Sequence, residues 1–293
     1  MATVSIDPAT VLMYENNLRY ALQQQTSILA PTVTVGTMSG ERKAFSYIGT
    51  ASMVKRAEKA QNTQWQDMNF SRRWVARKVF DFSVILDEFG DIASALKDPT
   101  SDILRAGVMA VKRKHDEIII GAADATAVVG QYGTETAQFP TGNTIDVKTG
   151  DTANTGLNIA KIMAVSERMA AANVPEEDEK WIICTKRQIH DLLNDPKVSS
   201  ADYNTVRALV RGELDAWMGF KFKVYNGLAA SGDIRKCFAW TKNSMQLAVS
   251  ADVKVYPPRE VETRSFQPGM QVTTAIDAVR LFDEGVYVIP CAE

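Results

Sequence analysis

The sequence predicts an α+β fold, and three observations predict it. Helical periodicity runs unbroken for about 25 residues after Asp98-Pro99, alternating extended segments lie on both sides of it, and a helix–strand–helix pattern comes after it. No internal repeat and no low-complexity segment interrupts this order.

Taken from the N-terminus, Asp7-Pro8 supplies an N-cap and a proline at the first helical position. Val11, Leu12, Tyr14, Leu18 and Leu22 then recur at helical spacing up to the polar Gln23-Gln24-Gln25 run. Such a terminal helix has one apolar stripe and needs another surface to cover it. From Pro31 the period changes to two: Thr32 to Val35, a Ser39-Gly40 turn, and Ala44 to Ile48 read as short strands around a hairpin. Residues 51–67 are polar and poorly patterned. Alternation returns from Trp74 to Phe82, with Trp74, Ala76, Phe80 and Phe82 on one face and Arg73, Val75, Arg77 and Val79 on the other. The result is a basic, extended arm of some fifty residues, and a two-stranded ribbon of that kind is marginal in water on its own.

In the long helix Leu104, Gly107, Val108, Val111, His115, Ile118, Ile119 and Ala122 form the apolar stripe, and Lys112/Asp116 and Arg113/Glu117 read as i,i+4 pairs. Residues 129–156 are rich in Gly and Thr and read as a surface loop or small hairpin insertion. Beyond them come a helix from Ile159 to Ala172 ending near Asn173, a strand at Trp181 to Cys184, a helix from Thr185 to Leu193, a helical stretch from Tyr203 to Met218, and a strand from Phe220 to Tyr225 closed by Asn226-Gly227. The last third reads as short strands at Lys236–Trp240, Val253–Tyr256, Arg259–Phe266, Gln271–Leu281 and Gly285–Pro290, with Pro257-Pro258 and Pro268-Gly269 as punctuation.

Composition narrows the function classes. At 293 residues with 45% apolar and 23% charged residues, the chain can bury a core, so disordered and fibrous classes are excluded. A formal charge of -2 argues against a strongly basic nucleic-acid reader. The charge is unevenly spread: residues 31–82 hold nine basic and four acidic residues, a net of +5, which leaves -7 on the remainder. Cys184, Cys237 and Cys291 are far apart in sequence with no C-x-x-C spacing, and read as buried, reduced thiols. With no secretory leader pattern and no membrane-length apolar run, the chain is expected to work or assemble in a cytoplasm.

Catalytic constellations are not found. His115 and His190 are the only histidines, and neither lies in an H-x-x-x-H or H-E-x-x-H arrangement. The Glu176-Glu177-Asp178-Glu179 run lacks the alternation and turn glycine of a calcium loop and reads as a solvated loop. No P-loop and no G-x-G-x-x-G fingerprint accompanies the α/β stretch. The cluster Arg72, Arg73, Arg77 and Lys78 around Trp74 suits either stacking on nucleic acid or a basic strand face against an acidic protein surface. The second is favoured because the rest of the chain carries the matching negative charge.

Ser199-Ser200-Ala201-Asp202-Tyr203-Asn204-Thr205-Val206-Arg207-Ala208-Leu209-Val210-Arg211-Gly212-Glu213, followed by Trp217-Met218-Gly219-Phe220-Lys221-Phe222, resembles the S-A-D-Y-N-x-V-x-A-L-V-x-G-E…G-F-x-F stretch of a branch of phage capsid proteins. Glu15-Asn16-Asn17, Ser71-Arg72-Arg73 and the order of elements extend the likeness over nearly the whole chain, which resembles the major capsid proteins of tailed double-stranded DNA bacteriophages. The resemblance implies a Hong Kong 97-like fold: an N-arm (1–30), an E-loop hairpin (31–82), the first part of a peripheral P-domain (83–155) with the spine helix at 99–126, an axial A-domain (156–251), and C-terminal P-domain strands (252–293).

By the same resemblance the chain is a non-enzymatic structural protein of the virion, assembled in the host bacterial cytoplasm into hexamers and pentamers of an icosahedral capsid. It would enclose double-stranded DNA without sequence specificity, with no cofactor, metal or membrane. Arg72, Arg73, Trp74, Arg77 and Lys78 of the E-loop and Leu12, Leu18 and Leu22 of the N-arm are the expected inter-subunit contacts, and charge reversal at Arg72, Arg73 and Arg77 is expected to block assembly of still-folded subunits. A fused scaffolding domain does not fit before the N-arm, so a separate scaffolding protein is an expected partner, beside a portal protein and a candidate decoration protein. Lys55 and Lys59 lie in the E-loop, but no partner asparagine or catalytic glutamate can be matched, so the isopeptide cross-linking of some relatives is unsupported. The alternatives are an encapsulin-type nanocompartment shell and, from another class, an α/β enzyme built on residues 156–225.

Overall fold

The computed structural model describes residues 24–56, 62–63, 65–85, 99–194, 217–260 and 268–293. Three α-helices are assigned there: α1 (Pro99–Ala123), α2 (Ile159–Ala171) and α3 (Lys186–Asn194). The strands assigned there are β1 (Thr34–Thr37), β2 (Arg42–Ile48), β3 (Phe70–Ala76), β4 (Lys78–Ile85), β5 (Ala127–Val129), β6 (Glu135–Ala137), β7 (Lys180–Cys184), β8 (Phe220–Val224), β9 (Ala230–Ser231), β10 (Ile234–Thr241), β11 (Met245–Glu260), β12 (Pro268–Arg280) and β13 (Val286–Ala292). The α+β expectation holds.

The strands make three sheets, ordered β1-β11-β12-β4, β13-β10-β7-β8 with β9 on β10, and β2-β3-β5-β6. The second sheet builds the main core. Ile162, Val165 and Met169 of α2, Ile189 and Leu192 of α3, and the buried faces of β7, β8, β10 and β13 close around Trp240, which has no exposed surface. The helix α2 starts where Asn158 accepts a hydrogen bond from the Lys161 N–H, and it ends with Asn173 at φ 56°. There the Val174 N–H donates to the Met169 carbonyl and the Asn173 N–H to that of Ala170, an arrangement that satisfies the last carbonyls.

The 25-residue helix α1 lies across β12 and β11. Its inward face differs from the predicted stripe in the second half. Val111, His115, Ile119, Ile120 and Ala123 are buried, whereas Ile118 and Ala122 are only partly so. Asp116, read as half of an i,i+4 pair with Lys112, has no exposed surface. Its carboxylate accepts from the Ser27 hydroxyl (2.5 Å), the Ile28 N–H (2.9 Å), the Leu29 N–H (3.0 Å) and the Gln24 side-chain amide. One acid on α1 thus fixes where the N-terminal segment joins the body.

Several local expectations need correction. The chain does turn at Ser39-Gly40, but β1 and β2 do not pair with each other: β1 runs parallel to β11, and β2 runs antiparallel to β3. Turn chemistry specifies a reversal, not a partner, and buried Val33 and Met38 draw β1 onto the first sheet. Residues 74–82 are not one ribbon strand. Arg77 separates β3 from β4, which belong to different sheets, and on β3 the Arg73/Val75 face is the buried one.

Strand β11 runs through Pro257-Pro258, with the ladder skipping from Tyr256 to Arg259, since proline has no N–H to donate. It also takes in residues 246–251, for which no strand was expected, and the anticipated segment junction at 251 and 252 lies inside it. Met218 is in a two-residue turn with Gly219 (φ 50° and 78°) between Trp217 and Phe220, not at a helix end. Within residues 129–156, the hairpin reading fits β5 and β6, and buried Ile145 pins the remainder of that segment by donating its N–H to the Val288 carbonyl. Of the acidic run, Glu179 is ion-paired to Lys221 (2.5 Å) and Lys242 (3.2 Å), and these hydrogen bonds, Lys221's first, hold its carboxyl below the usual range.

Three thiols far apart in sequence meet in the second sheet. Cys184 ends β7, Cys237 lies on β10 and Cys291 on β13, all three buried, and the Cys291 thiol donates to the Ile289 carbonyl (3.5 Å). Burial, with Cys291 adding to it, pushes the Cys184 thiol up to about 12 from 9.0. The unfolded thiol releases its proton above pH 9 while the folded one keeps it, so this group's share of stability is lost as pH rises from about 9 to about 12. Between pH 8 and pH 10 the unfolding free energy should therefore fall less for Cys184→Ala than for the parent in urea titrations, by about 1.4 kcal/mol per pH unit above 9. Equal slopes would contradict a protonated buried thiol.

Candidate assembly surface

The antiparallel β2–β3 ribbon is in register from Arg42 opposite Ala76 to Ile48 opposite Phe70. At its root β3 pairs with β5, and Met38, Val75, Ala127, Ala248 and Val279 form a small core of their own. The root is therefore held by the subunit itself. Away from it, the connection between β2 and β3 and the start of β3 carry large apolar side chains in the open: Met53 is 102% exposed, Trp65 90% and Phe70 69%. Periodicity does not reveal these, because a polar stretch with isolated apolar residues has no period. Trp65 and Met68 standing in that run are the signal that could have found them.

The five basic and aromatic residues expected at a contact occupy different situations. Arg72 is exposed, with Nη1 3.5 Å from the Gln131 carbonyl. Arg73 is buried and ion-paired at 2.7 Å to Asp283 in the same chain. Trp74 is half-buried and donates its indole N–H to the Gly130 carbonyl (2.8 Å), with the ring against Gly133. Arg77 is exposed at the link between β3 and β4. Lys78 is exposed and reaches Asp277 at 3.0 Å. The ribbon's outward charge near its root thus comes from Arg72, Arg77 and Lys78. Leu12, Leu18 and Leu22, and the Ser199–Glu213 segment, lie outside the described residues.

Asp283 also receives the Nε of Arg280 at 2.5 Å, so one carboxylate lies between two buried guanidinium groups. Arg280 further donates to the carbonyls of Ala123 and Ala125 and stacks 4.9 Å from the Phe139 ring. Neither Asp283 nor Arg280 had a signal in the sequence. Beside this group, between the far half of the ribbon and the β5–β6 hairpin, lies a cleft of about 650 Å³ lined by residues of β2, β3 and that hairpin. Among the described residues no cluster of His, Cys, Asp and Glu could hold a metal, and no helix is long and apolar enough to cross a membrane.

The profile of the phage capsid protein family matches residues 6–293. The chain belongs to that family. No curated protein matches the sequence. Among solved structures, the capsid of cyanophage Pam1 aligns with a TM-score of 0.69 at 12% identity, covering 100% of this chain and 99% of that one. The capsid of cyanophage P-SCSP1u aligns at 0.67 and 17% identity, covering 97% and 93%, and the head structure of Helicobacter pylori bacteriophage KHP40 at 0.69 and 10%, covering 99% and 97%. At these identities the likeness is one of fold, and the fold is the Hong Kong 97-like capsid fold. As a member of that family, the protein is a phage capsid protein, a structural component of the virion.

Proposed function

We propose that many copies of this capsid protein form hexamers and pentamers of an icosahedral shell around double-stranded DNA, assembled in the host cytoplasm without catalysis. The observation that carries this reading is the projecting ribbon with Met53, Trp65 and Phe70 exposed at and near its tip. Apolar side chains grouped on one projection mark a contact surface, and a second subunit is the surface a shell supplies. In this reading residues 31–82 act as the E-loop lying across a neighbour, residues 1–30 as the N-arm, 99–126 as the spine helix within a P-domain of 83–155 and 252–293, and 156–251 as the A-domain. Leu12, Leu18 and Leu22 would bury their stripe on another copy. A separate scaffolding protein, a portal protein and a decoration protein are the partners such a shell would take, and DNA would be held without sequence specificity.

Negative-stain microscopy of the expressed protein, alone and with its scaffolding protein, tests the reading. Uniform polyhedra or rings of five and six subunits are expected, and particles from infected cells should contain DNA. A monodisperse monomer under all conditions would sink it, and shells filled with protein cargo would overturn the DNA assignment. Because Arg73 is internally paired, its reversal would strike the fold as well as the contact. The double variant Arg72→Glu, Arg77→Glu is the cleaner probe: it is expected to stay folded by circular dichroism yet to lower particle yield at least about tenfold, an effect of about 1.4 kcal/mol or more on association. Particles at parental yield would show that these charges do not guide assembly.

A further inference from the structure

Asn226-Gly227 is the one Asn-Gly pair in the sequence, and it forms an exposed turn between β8 and β9. The turn is anchored on both sides. The Tyr225 N–H donates to the Cys184 carbonyl at 2.9 Å, and the carbonyl of buried Leu228 accepts from Arg235 Nη1 at 2.8 Å. Between those anchors the Asn226 side chain reaches back to the start of α3, where its Oδ1 accepts the Lys186 N–H at 3.3 Å. Lys186 is the first residue of that helix, so its N–H is one of the donors that no carbonyl of the helix reaches. Among the described residues the Gly227 N–H meets no acceptor. A carboxamide polarised by a helix N-terminus thus precedes the peptide nitrogen of an exposed residue that has no side chain to hinder approach.

We infer that Asn226-Gly227 is a self-modifying site, at which the folded chain converts this asparagine to an acid without an enzyme. The Gly227 nitrogen attacks Asn226 Cγ and closes a succinimide ring, and its proton leaves with the carboxamide nitrogen as ammonia. Water then adds to either ring carbonyl, and the ring C–N bond that breaks leaves Asp or iso-Asp at position 226. One water enters, one ammonia departs, and nothing is oxidised or reduced. Negative charge grows on Oδ1 as the nitrogen adds, and that is the atom the Lys186 N–H touches, so the donor favours the addition over the resting amide. Glycine is also what the packing accepts, since a Cβ at position 227 would lie 2.6 Å from the Tyr225 hydroxyl. The two products differ in effect. Aspartate places a full negative charge at the α3 N-terminus beside Lys186 and Arg187 and strengthens the helix start. Iso-Asp lengthens the main chain by a methylene between the Tyr225 and Leu228 anchors and loosens the turn. Both outcomes belong to the subunit itself, whether or not it assembles into shells.

The folded parent protein is incubated in heavy-oxygen water at mildly alkaline pH, digested under acid conditions and mapped by mass spectrometry. The peptide holding position 226 is expected to carry a heavy-oxygen-labelled acid, as both Asp and iso-Asp, before any other asparagine of the described residues does. Lys186→Pro removes the activating N–H while proline at the first position of a helix keeps the fold, which circular dichroism checks. Conversion is expected to slow about tenfold in that variant, less than the roughly hundredfold loss on deleting an oxyanion donor from an enzyme, because the hydrogen bond is long at 3.3 Å. Absence of labelled acid at position 226 in the folded parent, at times when the urea-denatured chain has converted, overturns the inference, and this comparison needs no variant. Equal rates in the parent and a folded Lys186→Pro overturn the part given to the helix donor.

Discussion

Asp283→Ala is expected to lower the unfolding free energy of the dispersed subunit by about 4 kcal/mol, because removing one partner of a buried ion pair leaves an uncompensated charge. The carboxylate binds Arg73 at 2.7 Å and Arg280 at 2.5 Å, and Arg280 has no contact with solvent. Without Asp283, two like charges face each other across the joint between the ribbon root and the end of β12. Asp283 is itself 23% exposed, so water entering the gap sets the cost within the usual range instead of above it. The asymmetry of the cluster adds a check. Arg73→Met leaves Asp283 paired with Arg280 and removes two unpartnered nitrogens, so it should cost less than about half as much. Urea denaturation followed by tryptophan fluorescence measures both. A larger loss for Arg73→Met than for Asp283→Ala would contradict an excess of buried positive charge.

Asp116→Ala should cost about 3 kcal/mol, since it orphans donors that this carboxylate satisfies. The Leu29 N–H is buried at 3.0 Å from it, the Ile28 N–H lies at 2.9 Å and the Ser27 hydroxyl at 2.5 Å. Asp116→Asn keeps an acceptor oxygen and should recover part of the loss. The variants also differ in where the loss falls: the segment at residues 24–29 should open first, so limited proteolysis near Gln24 should accelerate in Asp116→Ala before global unfolding does. Unchanged proteolysis at that segment with an unchanged denaturation midpoint would remove Asp116 as its anchor.

Much of the fold was legible because its signals are local. Pro99 and the apolar stripe mark α1, Asn173 marks the end of α2, and the alternation in Phe220 to Tyr225 marks β8. Each depends on residues within four positions of one another, which is the range over which helix hydrogen bonds, caps and strand faces are set. The candidate contact surface was legible only in part. The run of basic residues named the right ribbon, yet Arg72 and Arg73, adjacent and chemically identical, ended one outside and one inside. A strand's alternation separates its two faces without saying which of them meets the core.

By itself, the sequence determined the class of fold, the long helix, the basic arm and the lack of any recognisable catalytic motif, all properties of composition and short-range pattern. Tertiary structure alone decided that β1 joins β11 and not β2, that Cys184, Cys237 and Cys291 converge, that Asp116 turns inward to hold residues 27–29, and that Asp283 sits between two arginines. In most of these the partners are brought together by closing loops of tens to hundreds of residues. The free energy that selects them comes from burial and from satisfying charge in a common core, which no window of neighbouring residues contains.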